Sequence, residues 1–281
     1  IMIVSVSGII HSGQTGPFSV GTSADRLQQQ LRWIARDDNV AAVILELNTP
    51  GGEVTASDEI HRAIQRLRRE RNLPVIACMR SVAASGGYYL AAGTDHIVAN
   101  RMTLTGSIGV IIGGYNYHDL LNKVGLEQKL YHRGELKDLG NPARDPDSDS
   151  PAVQRRNRKD AEILQGLVDD TYEEFVEVFA KGRGLAPDVV RAPPIGDSRV
   201  LSGEQALELE LVDELGYMSD AIAEARKRTG DYRVMRYEPI PSLLRTLSAK
   251  SERPALVDGL LPEEHRLIKR GRMYFLNPSM F

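Results

Sequence analysis

The sequence contains very little cysteine, no surplus of positive charge and no long apolar run, and each absence narrows the range of functions. Cys78 is the single cysteine in 281 residues, so the chain cannot form an internal disulfide. Its place in the apolar run Val75–Met79 favours a buried small side chain over a catalytic thiol. The 35 basic and 38 acidic residues give a formal net charge of -3, which argues against a nucleic-acid-binding protein.

No stretch of the chain approaches the roughly 18 consecutive apolar residues that a transmembrane helix needs. The apolar start Ile1–Ile10 is too short, and Ser5 and Ser7 alternate with apolar residues there as in a strand. Because the chain begins with Ile1 ahead of Met2, we expect it to be a fragment of a longer protein, in which a preceding segment could carry a membrane anchor.

Several common catalytic motifs are also missing. The sequence has no P-loop, no G-x-G-x-x-G fingerprint and no H-E-x-x-H motif. Its histidines form no close pair with metal-ligand spacing. Neither Ser85 nor Ser107 lies in the G-x-S-x-G elbow of an α/β-hydrolase. A Ser-His-Asp triad through His96 or His132 stays open, although nothing in the local sequence favours it.

The first half of the sequence alternates strand-like and helix-like segments. Strands are predicted at Met2–Ser7, Ala42–Leu47, Pro74–Met79, His96–Ala99 and Ile108–Ile112, and helices after Ser23, across Ala56–Leu67, from Ser85, and over Ala152–Lys181. This order predicts an α/β fold with a parallel sheet and crossover helices. We expect an active site at the carboxyl ends of the strands, where two glycine-rich turns could meet.

Ser85 follows a predicted buried strand and precedes Gly86 and Gly87. The commonest role of a serine at such a place is to cap a helix, and local features favour that role. The alternative is catalytic, because a helix N-terminus offers free N–H groups and a positive dipole end to a developing oxyanion. Gly51 and Gly52 either form a turn or aim an N–H group at the same oxygen, with Gly86 supplying the second donor.

Lys137 lies in a polar segment, where a lysine is ordinarily a solvated charge. A lysine that acts as a general base must instead be neutral, and a dry cleft favours the neutral form. The local sequence leaves both roles open for Lys137.

In combination, these segments resemble the signal peptide peptidase A family, the protease IV type of Ser-Lys serine peptidase. The motifs that carry the resemblance are Asn48–Gly52, Ala84–Tyr89, Thr105–Val110, Lys137-Asp138 and Leu201–Gly216. They occur in the family's order and spacing, and the resemblance covers about Met2 to Lys227. It departs from the family at Thr49, which is often serine, and at Arg133–Leu136, which is less rich in glycine and serine.

The resemblance implies a ClpP/crotonase-like α/β fold, with repeated ββα units, parallel sheets and flanking helices. The reaction that the resemblance implies needs no metal or cofactor. It implies a site made of the nucleophile Ser85, the general base Lys137, the lysine-orienting Ser107, and an oxyanion hole from Gly51 or Gly52 with Gly86.

The resemblance also carries expectations about substrate and setting. The substrates would be remnant signal peptides and other hydrophobic peptide segments, cut by a homo-oligomeric ring or dome whose active sites face an inner chamber. The location would be the bacterial cytoplasmic membrane, with the catalytic domain on the extracytoplasmic side. Residues 1–230 would form the catalytic domain, and 231–281 a C-terminal tail whose final apolar cluster contacts a neighbouring copy or lipid.

Other functions remain open from the residues. A crotonase-like acyl-CoA enzyme also holds an oxyanion with two N–H groups, and Glu53 is its candidate carboxylate, but Ser85 and Lys137 would then be unexplained. A stomatin-partner-type membrane protease would share the Ser-Lys site and differ in its partner. A catalytically inactive, ring-forming scaffold would keep the fold alone.

Overall fold

A computed structural model describes residues 1–13 and 21–237, together with a backbone strand at 274–276. The strands are β1 (Met2–Ser7), β2 (Ile10–His11), β3 (Thr22–Ser23), β4 (Val43–Thr49), β5 (Gly51–Glu53), β6 (Val75–Ala83), β7 (His96–Ala99), β8 (Leu104–Gly106), β9 (Val200–Ser202), β10 (Glu214–Leu215), β11 (Met235–Arg236) and β12 (Tyr274–Leu276). The helices are α1 (Ala24–Ile34), α2 (Val54–Arg71), α3 (Gly86–Ala91), α4 (His118–Lys123), α5 (Pro151–Arg183), α6 (Pro187–Arg191), α7 (Gly203–Glu208) and α8 (Met218–Thr229).

The larger sheet is formed by the apolar strands of the first half of the chain. Its order is β10-β7-β6-β4-β1-β11, and each of these neighbours is parallel. Near the end of β6, β8 continues the sheet in parallel and β9 pairs antiparallel with β8. The predicted α/β fold with a parallel sheet and flanking helices is therefore confirmed.

A smaller sheet runs in the order β12-β5-β2-β3 and lies at the carboxyl ends of β1 and β4. The sequence predicts a sharp turn over Asn48–Gly52. The structure restricts the turn to Pro50 and continues as the strand Gly51–Glu53. Strand β4, strand β5 and helix α2 thus make one ββα unit, and β12 pairs antiparallel with β5 so that Phe275 lies opposite Gly52.

Alternating strand residues fill two separate cores, because successive side chains of a strand point to opposite faces. On β4, Val43 and Leu45 join the larger core against the helical layer, whereas Ile44 joins a smaller core under α8. Both faces of the central strands are covered, which explains why their sequences are almost continuously apolar.

The helix predicted over Ala152–Lys181 is confirmed as α5, Pro151–Arg183. The strand predicted at Ile108–Ile112 is wrong. Gly106 and Ser107 have φ values of 71° and 50°, which turn the chain away from the sheet after β8, and Ile111 is left exposed.

The expected tail begins with ordered contacts. Strand β11 adds to the edge of β1, and Tyr237 packs edge-on against Trp33 with ring centroids 5.6 Å apart. Residues 238–273 and 277–281 lie outside the described part of the chain, and with them most of the tail. Within the described part, no helix combines the length and the apolar character that crossing a bilayer requires.

Candidate active site

Ser85 lies in a strained turn between β6 and α3. Its φ and ψ are 53° and -117°, a region that non-glycine residues avoid and that costs on the order of 1–3 kcal/mol. The surrounding main chain holds it there: the N–H of Ser85 donates to the carbonyl of Gly106 at 2.8 Å, and the N–H of Ala84 donates to Thr49 at 3.2 Å. Strain of this kind is typical of functional sites rather than of ordinary caps.

The Ser85 hydroxyl does not cap the helix, so the capping role favoured by the local sequence is wrong. The side chain makes no capping hydrogen bond, the residue is 1% exposed, and its Oγ has no partner among the described residues. A buried hydroxyl without a partner costs free energy. It is therefore available for another polar group that the described residues do not provide.

Glycines from two strand ends meet beside this hydroxyl. A Cβ on Gly86 would lie 3.2 Å from the Cα of Gly51 and 3.3 Å from the N of Gly52. The N–H of Gly51 already donates to the Thr49 hydroxyl at 3.1 Å, which favours Gly52 over Gly51 as the partner of Gly86 in an oxyanion hole. The two glycine-rich turns that the sequence placed at strand ends do lie together.

Ser57, which the sequence analysis did not single out, lies against the same glycines. Its Oγ is 2.7 Å from the position of a Cβ on Gly86. The residue is fully buried on α2, and its hydroxyl has no partner within the described residues. The available signal was its position: Ser57, Ile60, Ile64 and Leu67 follow helical spacing, so a serine interrupts an apolar face.

Ser107 is brought next to Ser85 by the pairing of β6 with β8. The Thr105 hydroxyl donates to the carbonyl of Ala83 at 2.7 Å, and the Gly106 carbonyl accepts from Ser85. Ser107 itself is 6% exposed and follows directly on β8. This position is compatible with a hydroxyl that orients a base near Ser85.

Helix α3 is anchored by two tyrosines behind the nucleophile turn. Tyr88 donates to the carbonyl of Leu211 at 2.6 Å and Tyr89 donates to Asp58 at 3.0 Å. Their rings pack on α5, with Tyr88 stacked on Phe179 and Tyr89 edge-on to Phe175. The tyrosine pair of the Ala84–Tyr89 motif thus fixes the direction of the helix that begins after Ser85.

Lys137 lies elsewhere on the chain. It is exposed and lies on the segment between Ser107 and α5. Its backbone N–H donates to Gly134 at 3.2 Å, but among the described residues its side-chain amine has no hydrogen-bond or ion-pair partner. Within one chain, the structure therefore does not bring Lys137 into contact with Ser85 or Ser107.

Burial also determines the charge of two further titratable side chains, His61 and Cys78, which are both neutral at pH 7. Burial lowers the pKa of His61, whose ring packs edge-on against Tyr89, to about 4. Burial likewise raises the pKa of the Cys78 thiol to about 11, so the predicted role of Cys78 as a small core side chain is confirmed. Glu53 accepts hydrogen bonds from the hydroxyl and the N–H of Ser12, at 2.6 Å and 3.0 Å.

Two protein-family models match this chain. The model of peptidase family S49 matches residues 67–230, and that of Clp protease matches residues 16–114. The first of these ranges contains both Ser85 and Lys137.

Similar proteins agree with these matches. A putative signal peptide peptidase SppA of Enterococcus faecium is 37% identical over 229 residues, which is 81% of this chain and 63% of that protein. The chloroplastic serine protease SPPA of Arabidopsis thaliana is 32% identical over 81% of this chain and 32% of its own length. Among solved structures, a mutant of the 1510-N membrane-bound stomatin-specific protease matches with a TM-score of 0.51 at 19% identity, covering 85% of this chain and 97% of that one.

The fold and these matches define the class of the protein as a serine peptidase with a ClpP-like fold. More narrowly, the chain belongs to peptidase family S49, as its resemblance to signal peptide peptidase A implied. The acyl-CoA enzyme alternative gains no support from these matches. The chain spans about three fifths of the length of the first curated relatives that it matches, 63% and 60%.

Proposed function

We propose that the chain is a Ser-Lys peptidase in which Ser85 is the nucleophile and Lys137 the general base. The observation that carries the proposal is the Ser85 turn: a strained backbone, a buried hydroxyl without a partner in the described residues, and two glycine backbones beside it. A structural serine gains nothing from this combination. A nucleophile needs it, because its Oγ must face the substrate carbonyl and a base rather than its own helix.

The chemistry would take two steps. The neutral amine of Lys137 removes the Ser85 proton as Oγ attacks the peptide carbonyl, and N–H groups of Gly52 and Gly86 stabilise the oxyanion. The protonated lysine then gives its proton to the leaving amine, which leaves an ester on Ser85. Water, deprotonated by the same lysine, releases the acyl group. Ser107 would hold the amine in position between these steps.

We further propose that the base reaches Ser85 from a second copy of the chain. The segment that leads to Lys137 is poorly packed against the rest of the chain. Its helix α4 has no buried residues. The apolar side chains exposed along this segment are Ile111, Tyr115, Leu120, Val124, Leu126, Leu130, Tyr131 and Leu136, with exposures from 36% to 94%. We call residues 111–137 the arm. An apolar surface of this extent marks a site of protein or membrane contact. The incomplete Ser85 site supports a neighbouring protomer in a ring.

The proposed substrates are hydrophobic peptide segments such as remnant signal peptides. The name of the Enterococcus faecium relative supports this substrate class. The β12 side of β5 supports an extended binding mode, since the chain's own segment Tyr274–Leu276 lies antiparallel along Gly51–Glu53 there. A substrate strand that takes the place of β12 would use main-chain hydrogen bonds and place a carbonyl beside Gly52.

The setting remains that implied by the family. We propose an enzyme at the bacterial cytoplasmic membrane, anchored by a segment outside this sequence, with residues 1–230 as its catalytic domain on the extracytoplasmic side. The stomatin-partner alternative gains no support from the matched stomatin-specific protease, because 19% identity shows the fold alone.

The first experiment is labelling with a fluorophosphonate probe, followed by mass spectrometry. We expect an adduct on Ser85 in the wild-type protein and a loss of labelling in Lys137→Ala. An adduct on another serine, or a Lys137→Ala protein that labels at the wild-type rate, would show that the dyad is wrong.

A complementation experiment tests the second copy. Ser85→Ala and Lys137→Ala proteins are each inactive, but co-assembly places an intact serine beside an intact lysine at some interfaces. Random mixing of equal amounts predicts about a quarter of the wild-type activity in a closed ring. Inactive mixed assemblies, with exchange of subunits verified, would mean that the arm folds back onto its own Ser85.

A further inference from the structure

Four charged side chains form a closed ring immediately after Lys137. Arg144 donates to Asp138 and to Asp160, each at 2.6 Å. Arg156 donates to Asp138 at 2.7 Å and faces Asp160 with its Nε at 3.1 Å. Each arginine therefore contacts both carboxylates, and the charges of the ring cancel. We call these residues the Asp138–Asp160 ring.

The ring is shielded from solvent although it lies at the edge of the molecule. The side-chain exposures are 18% for Asp138, 14% for Arg144, 13% for Arg156 and 7% for Asp160. Burial alone would raise the pKa of Asp138, but its hydrogen bond with Arg144 and the charges of both arginines outweigh burial and hold that pKa below its usual value. Asp138 is consequently charged at neutral pH, and three of the four arginine–carboxylate contacts of the ring are directional hydrogen bonds.

The ring also forms hydrogen bonds with the main chain next to Lys137. Arg144 donates a further hydrogen bond to the backbone carbonyl of Asp138 at 2.9 Å, and Asp160 accepts the N–H of Gly140 at 2.9 Å. Because Arg156 and Asp160 belong to α5, these bonds fix residues 138–140 on a long helix whose far end packs behind Ser85 through Phe175 and Phe179.

Among the described residues, the chain on the other side of the base is held by weaker contacts, such as that of His132 with Asp138 at 4.0 Å. The residues from Leu126 to Lys137 are all exposed. The ion pair that ties this stretch to α5, Lys159 with Glu135 at 3.2 Å, has exposures of 46% and 72%. Exposed pairs of this kind contribute little. The position of the Lys137 backbone thus depends on the ring that follows it.

We propose that the Asp138–Asp160 ring is the positioning device of the catalytic base: it holds the Lys137 backbone at a fixed place relative to α5, so that the amine reaches Ser85 in the assembled enzyme. Asp138, Arg144, Arg156 and Asp160 are then positioning residues that touch neither substrate nor reacting atoms. The inference rests on the proposed role of Lys137. It holds whether the lysine serves its own chain or a neighbour.

The test is Asp160→Asn in the full chain. Asparagine keeps the shape and an acceptor for Gly140 but removes the charge that both arginines face. We expect kcat for a peptide substrate, and the rate of Ser85 labelling, to fall on the order of 10- to 100-fold, because displacement of a catalytic group by about 1 Å has effects of this size. KM should change less than about twofold. Amide hydrogen exchange of residues 137–144 should become faster.

A matched control comes from the other end of the same helix. Arg183 pairs with Asp213 at 2.7 Å, with exposures of 11% and 30%, and this pair is remote from the Lys137 segment in sequence. Arg183→Gln should lower the melting temperature as Asp160→Asn does, and leave kcat and the exchange of residues 137–144 unchanged. A purely structural role of the ring would make the two variants alike.

Arg144→Lys provides a second variant in case Asp160→Asn does not fold. A lysine cannot bridge both carboxylates as the guanidinium fork does, so kcat should fall with KM retained. Two results would overturn the inference while Lys137→Ala stays inactive. One is a folded ring variant with wild-type kcat. The other is a ring variant whose loss of activity is fully explained by dissociation of the assembly, as measured by light scattering. An active Lys137→Ala protein instead overturns the dyad, and this inference with it.

Discussion

The contact between Gly86 and Ser57 gives a sharp prediction for Gly86→Ala. The added methyl group would lie 2.7 Å from Ser57 Oγ, 3.2 Å from Gly51 Cα and 3.3 Å from Gly52 N. The first distance is well inside normal van der Waals contact, and the other two involve main chain that cannot rotate away. Helix α3 and strand β5 must therefore separate slightly, which moves the N–H groups of Gly86 and Gly52 relative to Ser85.

The expected magnitude follows from these contacts. Overpacking of a well-packed interior costs about 1–3 kcal/mol of unfolding free energy. Loss of one oxyanion donor lowers the rate by about 10²- to 10³-fold in serine proteases. Alanine keeps its N–H group, so the labelling rate should fall by less than that limit. Ser57→Ala removes the nearest atom, and the double variant should recover about 1 kcal/mol relative to additivity.

The assay compares wild type, both single variants and the double variant by urea unfolding and by the rate of Ser85 labelling. Gly166→Ala is the control, because no described residue lies within 4 Å of a Cβ at that position on α5. This variant should gain about 1 kcal/mol of unfolding free energy through helix propensity. A Gly86→Ala protein that labels at the wild-type rate, or additive effects in the double variant, would refute the proposed packing of the site.

Two further predictions concern buried titratable groups. His61 has its pKa lowered to about 4 by burial, so between roughly pH 6.5 and 4 the unfolded state binds a proton that the folded state does not. The unfolding free energy should then fall with decreasing pH by up to about 3 kcal/mol across this window, and His61→Gln should flatten that slope; an identical slope in both proteins contradicts the assignment. Cys78, with its pKa raised to about 11 by burial, should resist iodoacetamide at pH 8 in the native protein and react completely in urea. Fast native labelling would show that the core around it opens.

Much of the sheet could be predicted from sequence because its physical cause is local. Strands β1, β4 and β6 are short apolar runs bounded by turn residues, and α2 shows buried residues at helical spacing. The same reasoning fails at Ile108–Ile112, because Gly106 and Ser107, with φ values of 71° and 50°, turn the chain away from the sheet after β8. Sequence reasoning also extends the turn wrongly through Gly51-Gly52, which belong to β5. Two glycines in sequence are equally consistent with a turn and with a strand that another backbone approaches closely.

The strain at Ser85 could not be predicted, because serine carries no preference for its φ of 53°. Strands β4 and β8 impose that conformation through main-chain hydrogen bonds at the end of β6. Sequence placed the residue at a strand end and between small neighbours, which was enough to make it a candidate. Its buried and unpartnered hydroxyl appears only once the strands are paired.

The contacts around Lys137 were even harder to predict from the sequence. The strong contacts nearby belong to the residues after it, and they join Asp138 to Arg144 and Arg156, 6 and 18 positions further along the chain. Charged residues in a polar segment ordinarily indicate solvated surface. The departure from that rule, arginines and aspartates buried together, becomes visible only when α5 is packed beside the loop.

The two halves of the proposed site are therefore held by different forces. Ser85 and its glycines are fixed by the parallel sheet and the larger core of a single chain, while Lys137 lies between an unpacked apolar arm and a buried ion-pair ring. In the described part of a single chain the proposed nucleophile has no base beside it, so under the proposed mechanism peptide hydrolysis would depend on docking of the arm. In this arrangement the Asp138–Asp160 ring fixes the backbone position of Lys137, and a neighbouring protomer fixes the position of its amine. Loss of the ring should therefore slow catalysis in intact assemblies, whereas loss of arm contacts should make activity depend on protein concentration.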